Sequence, residues 1–292
     1  MRLATFVVDE VERIGVVVDS TIIDLSVAAP ELPSDMISLI AAGAPALEAA
    51  AKAAGEPPSG AVRELDAVTL RSPIPRPGTF FAVGLNYADH IAEGGGSAND
   101  ELTVFLKATG CVVGHGHPVE RPIVSEQLDY EGELGVVIGR RCRHVSRANA
   151  RDVIAGYVIV NDVTVRDWQM RTPQWALGKS FDTHGVVGPW LVTADQLDPG
   201  DLRIRTLING EVRQDSSTSH MIWDCGAQIE TISAACTLEP GDIIATGTPA
   251  GVGGAMKPQQ WMRAGDTVRV EIDGIGYLEN TIVDEQPTPN HG

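Results

Sequence analysis

The sequence predicts an α+β, mostly β fold, and three observations lead there. Eight β-branched or apolar runs between residues 79 and 274 have strand length, against two candidate helices at 147–154 and 225–236 in the same region. A strand-rich chain with so few helices favours a folded sheet, barrel or roll over a doubly wound parallel sheet. The composition, 43% hydrophobic and 21% charged over 292 residues, is that of an ordinary globular chain long enough to bury a substantial core.

The elements follow in order. LATFVVD and RIGVVVD, with TIIDLS behind them, read as a small antiparallel sheet over 1–24. The Ala- and Leu-rich stretch 35–54 carries apolar residues at helical spacing, broken near Gly43 and Pro45. Residues 55–60 form a loop, and the prolines of SPIPRPG favour an extended connector. A boundary near residue 72 then divides a small N-terminal α/β module (1–72) from a main domain (73–285). The main-domain strands are 79–84, 102–107, 131–139, 156–165, 190–194, 202–210, 242–247 and 267–274. The tail 286–292, QPTPNHG, has no apolar residue to dock it and reads as flexible.

Charge narrows the partners. With 22 basic against 39 acidic residues the formal charge is −17. That field repels phosphate backbones, so nucleic acid is not expected as a partner, whereas divalent cations are attracted. An anionic substrate then needs a local positive site. The four cysteines (111, 142, 225, 236) form no C-x-x-C pair and read as buried, reduced thiols. The apolar run at the N-terminus is too short for a signal peptide or a membrane span, so no membrane association and a cytoplasmic location are expected.

The strongest chemical feature is DYEGELGVVIG (129–139). Residues two apart on a strand share a face, so Glu131 and Glu133 point the same way. Two like charges side by side need neutralising, and a hard cation with oxygen ligands, Mg2+ or Mn2+, would do it. Gly132 leaves room for another backbone to approach. The bland alternative is a solvated acidic edge. Asp162 tips the balance, because it follows the apolar run Val158-Ile159-Val160 and so ends a buried strand. Continued alternation would put Thr164 and Arg166 on its face, and a buried Asp needs either a metal or a base such as Arg166. Gln169 lies seven residues beyond.

Two further segments qualify. In NYADHIAE (86–93), His90 and Glu93 stand at i and i+3 on a helix, where the carboxylate can orient the imidazole. The glycine run 94–100 behind them would let the segment close as a lid, although an ordinary surface pair and loop is the alternative. In GDIIATGTPAGVGG (241–254) a strand enters a glycine-rich turn. No Lys-Ser/Thr follows and the spacing is not G-x-G-x-x-G, so nucleotide binding is excluded. A loop offering backbone N–H groups and the Thr248 hydroxyl to a carboxylate remains.

Taken together, GLNYADH (84–90), YEGELGVVIG (130–139), NDVTVRDWQ (161–169), GKSFDTHGVVGPW (178–190), NGEVRQDSSTSHMI (209–222) and GDIIATGTPAGVG (241–253) resemble, in order, the fumarylacetoacetate hydrolase family, and within it the acylpyruvase-like branch. The resemblance implies a mixed β-roll catalytic domain, usually in a homodimer, behind a smaller accessory region. It implies that Glu131, Glu133 and Asp162 hold a metal, usually Mg2+, with Mn2+ or Ca2+ as substitutes. It makes Lys179 the active-site lysine, Arg166 and Gln169 contacts to substrate or developing oxyanion, and Thr248 a contact to the substrate carboxylate. His90 and Glu93 match the dyad that activates water.

The expected activity is hydrolysis of a C–C bond in a 2,4-diketo acid of acylpyruvate or fumarylacetoacetate type, with a small keto acid as the substrate. The alternatives on the same site are decarboxylation of a 2-oxo acid such as oxaloacetate, or isomerisation of a 2-hydroxymuconate-type dienoate. A non-catalytic, metal-dependent binder of small dicarboxylates is the reading from another class, and it has no use for a general base at His90.

Overall fold

The computed structural model describes residues 1–94 and 100–287. Most of the glycine run behind His90 and the last five residues of the expected tail lie outside the described residues.

A mixed twelve-stranded sheet organises the chain. Its main path runs from Val62–Glu64 through Thr21–Asp24, Val11–Val18 and Arg2–Val8 to Gly185–Thr193. It continues through Ile154–Asp162, Gly132–Ile138, Ile243–Ala245 and Phe80–Gly84 to Thr103–Lys107. Pairing is mostly antiparallel, but Ile243–Ala245 runs parallel to Phe80–Gly84. A five-stranded sheet carries Glu211–Ser217, Arg203–Ile208, Thr267–Ile272, Gly276–Asp284 and Val119–Arg121. The strands Glu211–Ser217 and Gly276–Asp284 are additions to the eight that periodicity picks out. The first alternates poorly, because only Gln214 in it is fully buried.

The expected strand over 156–165 breaks in two. Ile154–Asp162 stays in the large sheet, whereas Thr164–Val165 turns away to pair with Leu128–Asp129. The expected helix at 147–154 is a 3-10 turn, Arg147–Val153, and Cys225–Ala235 is α-helical with Asp224 capping Ala227 N at 2.8 Å. In the N-terminal region Met36–Ala41 and Ala44–Gly55 are separate helices, parted by Gly43 at φ 73°.

The central strand Gly132–Ile138 is buried along its whole length because both faces are covered. Leu134, Val136 and Ile138 face a core shared with Ile204, Val268, Val270 and Ile229. Val137, Val158 and Val160 face the other core, with Ile14, Leu25, Leu39 and Ala50 of the N-terminal region. Backbone pairing of Leu3 with Leu191 also carries the sheet across residue 72, so the N-terminal strands extend the large sheet. All four cysteines are free. Cys111 and Cys225 are buried as expected, but Cys142 is half-buried and Cys236 is exposed. Among the described residues no helix is long and apolar enough to cross a membrane.

Candidate active site

Three buried carboxylates meet where the central strands end. Glu131 precedes Gly132–Ile138, Glu133 lies inside it, and Asp162 is the last residue of Ile154–Asp162. One oxygen from each lies within 4.8 Å of the others. Strand period brings Glu131 and Glu133 to one face, and antiparallel pairing of Gly132 with Asn161 delivers Asp162 beside them. Asn161 Oδ1 accepts the Glu131 N–H at 3.0 Å and fixes the backbone there.

The neighbour that needs Gly132 is not a backbone. A Cβ at Gly132 would strike the Thr206 hydroxyl and crowd Val270, and Gln214 Oε1 accepts its N–H at 3.0 Å. The glycine therefore admits side chains of the smaller sheet.

Two lysines reach into the carboxylates from below the surface. Lys179 Nζ lies 2.6 Å from Glu131 Oε2 and 2.9 Å from Asp162 Oδ2. Lys107 Nζ lies 2.6 Å from Asp162 Oδ1 and also donates to the Lys179 carbonyl. Lys107 is missing from the expected site. The signal for it was present, because Phe105 and Lys107 share the inward face of Thr103–Lys107.

Arg166 does not pair with Asp162. The chain leaves the sheet after Asp162, and Arg166 opens a short helix, Arg166–Gln169. Its guanidinium binds Glu131 Oε1 at 2.6 Å, Asp129 Oδ2 at 2.8 Å and Gln169 Oε1 at 3.0 Å. Its Nη2 is buried without a partner among the described residues. Asp129 is a second residue that sequence reasoning passes over. It accepts the N–H groups of Gly253 at 2.8 Å and Gly254 at 2.9 Å, and so anchors the glycine-rich loop.

Electrostatics separate the carboxylates. Burial alone would raise Glu131, but Lys179 and Arg166 outweigh it and hold its carboxyl below the usual range. Glu133 behaves oppositely. Burial, together with the charges of Asp162 and Glu131, pushes its carboxyl well above the ordinary value. Its hydrogen bond from Gly247 N at 2.7 Å does not compensate. Burial works against the Lys179 ammonium, yet Asp162 and Glu131 hold it charged.

The helix Ala88–Glu93 places His90 Nδ1 2.7 Å from Glu93 Oε1. Glu93 Oε2 accepts the Gly251 N–H at 2.8 Å, so the dyad is attached to the glycine-rich loop. The same loop bonds Glu133 through Gly247 N, so it links the dyad to the carboxylate cluster. Thr248 is buried on the same loop. Its hydroxyl donates to Gly132 O at 3.0 Å and accepts from Gln214 Nε2 at 2.8 Å.

The fumarylacetoacetate (FAA) hydrolase C-terminal family matches residues 79–283. Oxaloacetate tautomerase YisK of Bacillus subtilis is 41% identical over 287 residues, covering 92% of this chain and 95% of that protein. Maleylpyruvate hydrolase from Sphingobium sp. SYK-6, solved in complex with manganese(II) ion and pyruvate, is 34% identical with a TM-score of 0.82. The match covers 98% of this chain and 100% of that one. The 2-hydroxyhepta-2,4-diene-1,7-dioate isomerase from Mycobacterium marinum is also 34% identical, with a TM-score of 0.78 and the same coverage. From the matched residues and from these likenesses along nearly the whole chain, the protein belongs to the fumarylacetoacetate hydrolase family.

Proposed function

We propose that the protein hydrolyses a C–C bond in a 2,4-diketo acid of acylpyruvate type, with a divalent cation held by Glu131, Glu133 and Asp162. The observation that carries this reading is the His90–Glu93 pair, an imidazole oriented by a carboxylate at 2.7 Å and tied through Gly251 to the loop whose Gly247 N–H bonds Glu133. The donor set fits a hard cation. All three groups are oxygens, and Glu133 forms no ion pair among the described residues while its charge is disfavoured. Mg2+ and Mn2+ both suit it, and the maleylpyruvate hydrolase relative was solved with manganese. When bound, such an ion supplies Lewis-acid polarisation of the 2-oxo acid oxygens.

The chain's own residues supply the rest. Glu93 takes the Nδ1–H of His90, which leaves Nε2 as the lone-pair base. Water adds to the distal carbonyl carbon, C4, as its proton passes to Nε2. The C3–C4 bond then breaks, and its electron pair goes to the enolate of the 2-oxo acid fragment. Protonation at C3 completes pyruvate, and C4 leaves as a carboxylic acid. Among the described residues Arg166 Nη2 is buried without a partner, and Gln169 turns its carbonyl to Arg166, which leaves its amide as the donor. These two groups and Lys179 stabilise the oxygen charge that develops. To receive the substrate carboxylate, the Thr248 hydroxyl would have to release Gly132 O, to which it donates at 3.0 Å.

The tautomerase relative favours a second reading. Enol–keto exchange of oxaloacetate needs His90 as a proton carrier and the same cation, but no attacking water. Decarboxylation of oxaloacetate and isomerisation of a dienoate share that enolate requirement. Acylpyruvate, enol-oxaloacetate and a hydroxymuconate-type dienoate, each assayed with Mg2+ and Mn2+, separate the outcomes. Fast acylpyruvate cleavage is expected. Oxaloacetate turnover without acylpyruvate cleavage would replace hydrolysis by the second reading. A His90→Ala variant is expected to bind oxalate as the wild type does and to lose turnover. If the wild type turns over none of these acids, a binding protein is the better reading.

A further inference from the structure

Three consecutive residues reach three parts of the site. Asp129 fixes Gly253 and Gly254, and Glu131 belongs to the carboxylate cluster. Tyr130, between them, is 2% exposed, and its hydroxyl donates to Gly251 O at 2.9 Å. The N–H of the same Gly251 donates to Glu93 Oε2 at 2.8 Å, and Glu93 Oε1 takes His90 Nδ1 at 2.7 Å. An unbroken path of hydrogen bonds thus runs from the floor of the site to the imidazole.

Gly251 is the pivot of that path. Its φ is 108°, and a Cβ there would collide with the Arg213 carbonyl, so only glycine fits. A glycine has the least intrinsic preference for one conformation. Its two flanking peptides therefore take their orientation from what they bond to, Glu93 on one side and Tyr130 on the other.

We propose that Tyr130 is a positioning residue which sets the His90–Glu93 dyad through Gly251, holding the glycine loop so that its amide meets Glu93. The inference rests on the reading of His90 as the proton-accepting base. Among the described residues the Tyr130 hydroxyl bonds Gly251 O and not the imidazole, so it acts through Glu93. Phenylalanine fills the same volume, so Tyr130→Phe removes the hydroxyl with little change in packing.

Hydrogen exchange of the Mn2+-loaded protein tests this without substrate. In Tyr130→Phe, segment 88–94 is expected to exchange about five- to tenfold faster, the effect of one neutral hydrogen bond. The helix Cys225–Ala235 is expected to stay unchanged. In turnover of acylpyruvate, kcat is expected to fall by a similar factor while KM and the Mn2+ Kd hold. Glu93→Ala alone is expected to speed exchange in 88–94, and adding Tyr130→Phe to it is expected to change nothing further. Unchanged exchange in Tyr130→Phe, or equal multiplicative effects of Tyr130→Phe with and without Glu93, would overturn the proposal. A wild type inactive on every 2-oxo acid would instead remove the functional reading, and the exchange result would still decide whether Tyr130 sets the dyad.

Discussion

Lys107 Nζ donates to Asp162 Oδ1 at 2.6 Å and leaves the other carboxylate oxygen to Lys179. Both side chains of the Lys107–Asp162 pair are within 1% of full burial. Removing one member of such a pair strands a charge in a low-dielectric interior, which costs more than the pair itself contributes. Lys107→Met is therefore expected to lower unfolding free energy by about 3 kcal/mol, read as a shifted urea midpoint at constant m-value. A loss below about 1 kcal/mol would mean that Lys179 alone neutralises Asp162.

Glu133 predicts how metal binding depends on pH. Burial and the neighbouring carboxylates raise its folded pKa, so without metal it keeps its proton to higher pH than an ordinary glutamate. The stability that this proton confers is present at low pH and is lost as pH rises through the folded value. A cation must displace the proton, so Mn2+ binding is expected to release protons and to tighten as pH rises. Titration calorimetry in two buffers of unlike ionisation enthalpy measures the release. The Mn2+-induced rise in Tm should grow over the same range. Glu133→Gln should bind more weakly and release none, whereas an affinity independent of pH would contradict this assignment.

His184 carries a separate pH signature. It is fully buried, its Nε2–H donates to Glu120 O at 2.8 Å, and burial pushes its pKa down to about 3. Between that value and the ordinary 6.5 the unfolded chain binds the extra proton. Its contribution to stability is therefore complete above the unfolded value and is lost as pH falls. The deficit of His184→Gln against wild type, measured by chemical denaturation, is expected to shrink by about 2 kcal/mol between pH 7 and pH 5. A constant gap would show that His184 protonates in the folded protein without penalty.

The carboxylate cluster was the most legible part of the site, for reasons of geometry. Strand alternation alone puts Glu131 and Glu133 on one face, and the apolar run before Asp162 marks the end of a buried strand. His90 and Glu93 follow from helical spacing. Arg166 was half legible, because alternation carried past Asp162 assumes a strand that in fact changes sheets there. Its partners Glu131 and Asp129 depend on that change of direction. Alternation turns Lys107 inward, but its meeting with Asp162, like that of Gln214 with Gly132, depends on which strands become neighbours, which local period does not encode. The two outer faces of the central strand are read easily as apolar, but the chain alone does not say which core each one enters.

Gly132 offers the most direct check on how the smaller sheet supports the site. A Cβ there would meet Thr206 Oγ1, a buried hydroxyl without a hydrogen-bond partner among the described residues. Gly132→Ala is therefore expected to cost about 1–3 kcal/mol through overpacking, and to weaken Mn2+ binding because Glu131 and Glu133 flank the residue. Thr206→Ala removes the obstructing oxygen and leaves no bonded partner unsatisfied, so alone it is expected to cost under about 1 kcal/mol. Combined, the two substitutions should be less damaging than their sum, since the clash is gone. The remaining contacts are Val270 Cγ1 at 3.0 Å, a side-chain methyl that can shift, and Gln214 Oε1 at 3.3 Å. Rescue is expected in both the urea midpoint and the Mn2+ Kd. Strict additivity would show that Gly132 is needed for its backbone conformation and not for the space that Thr206 takes.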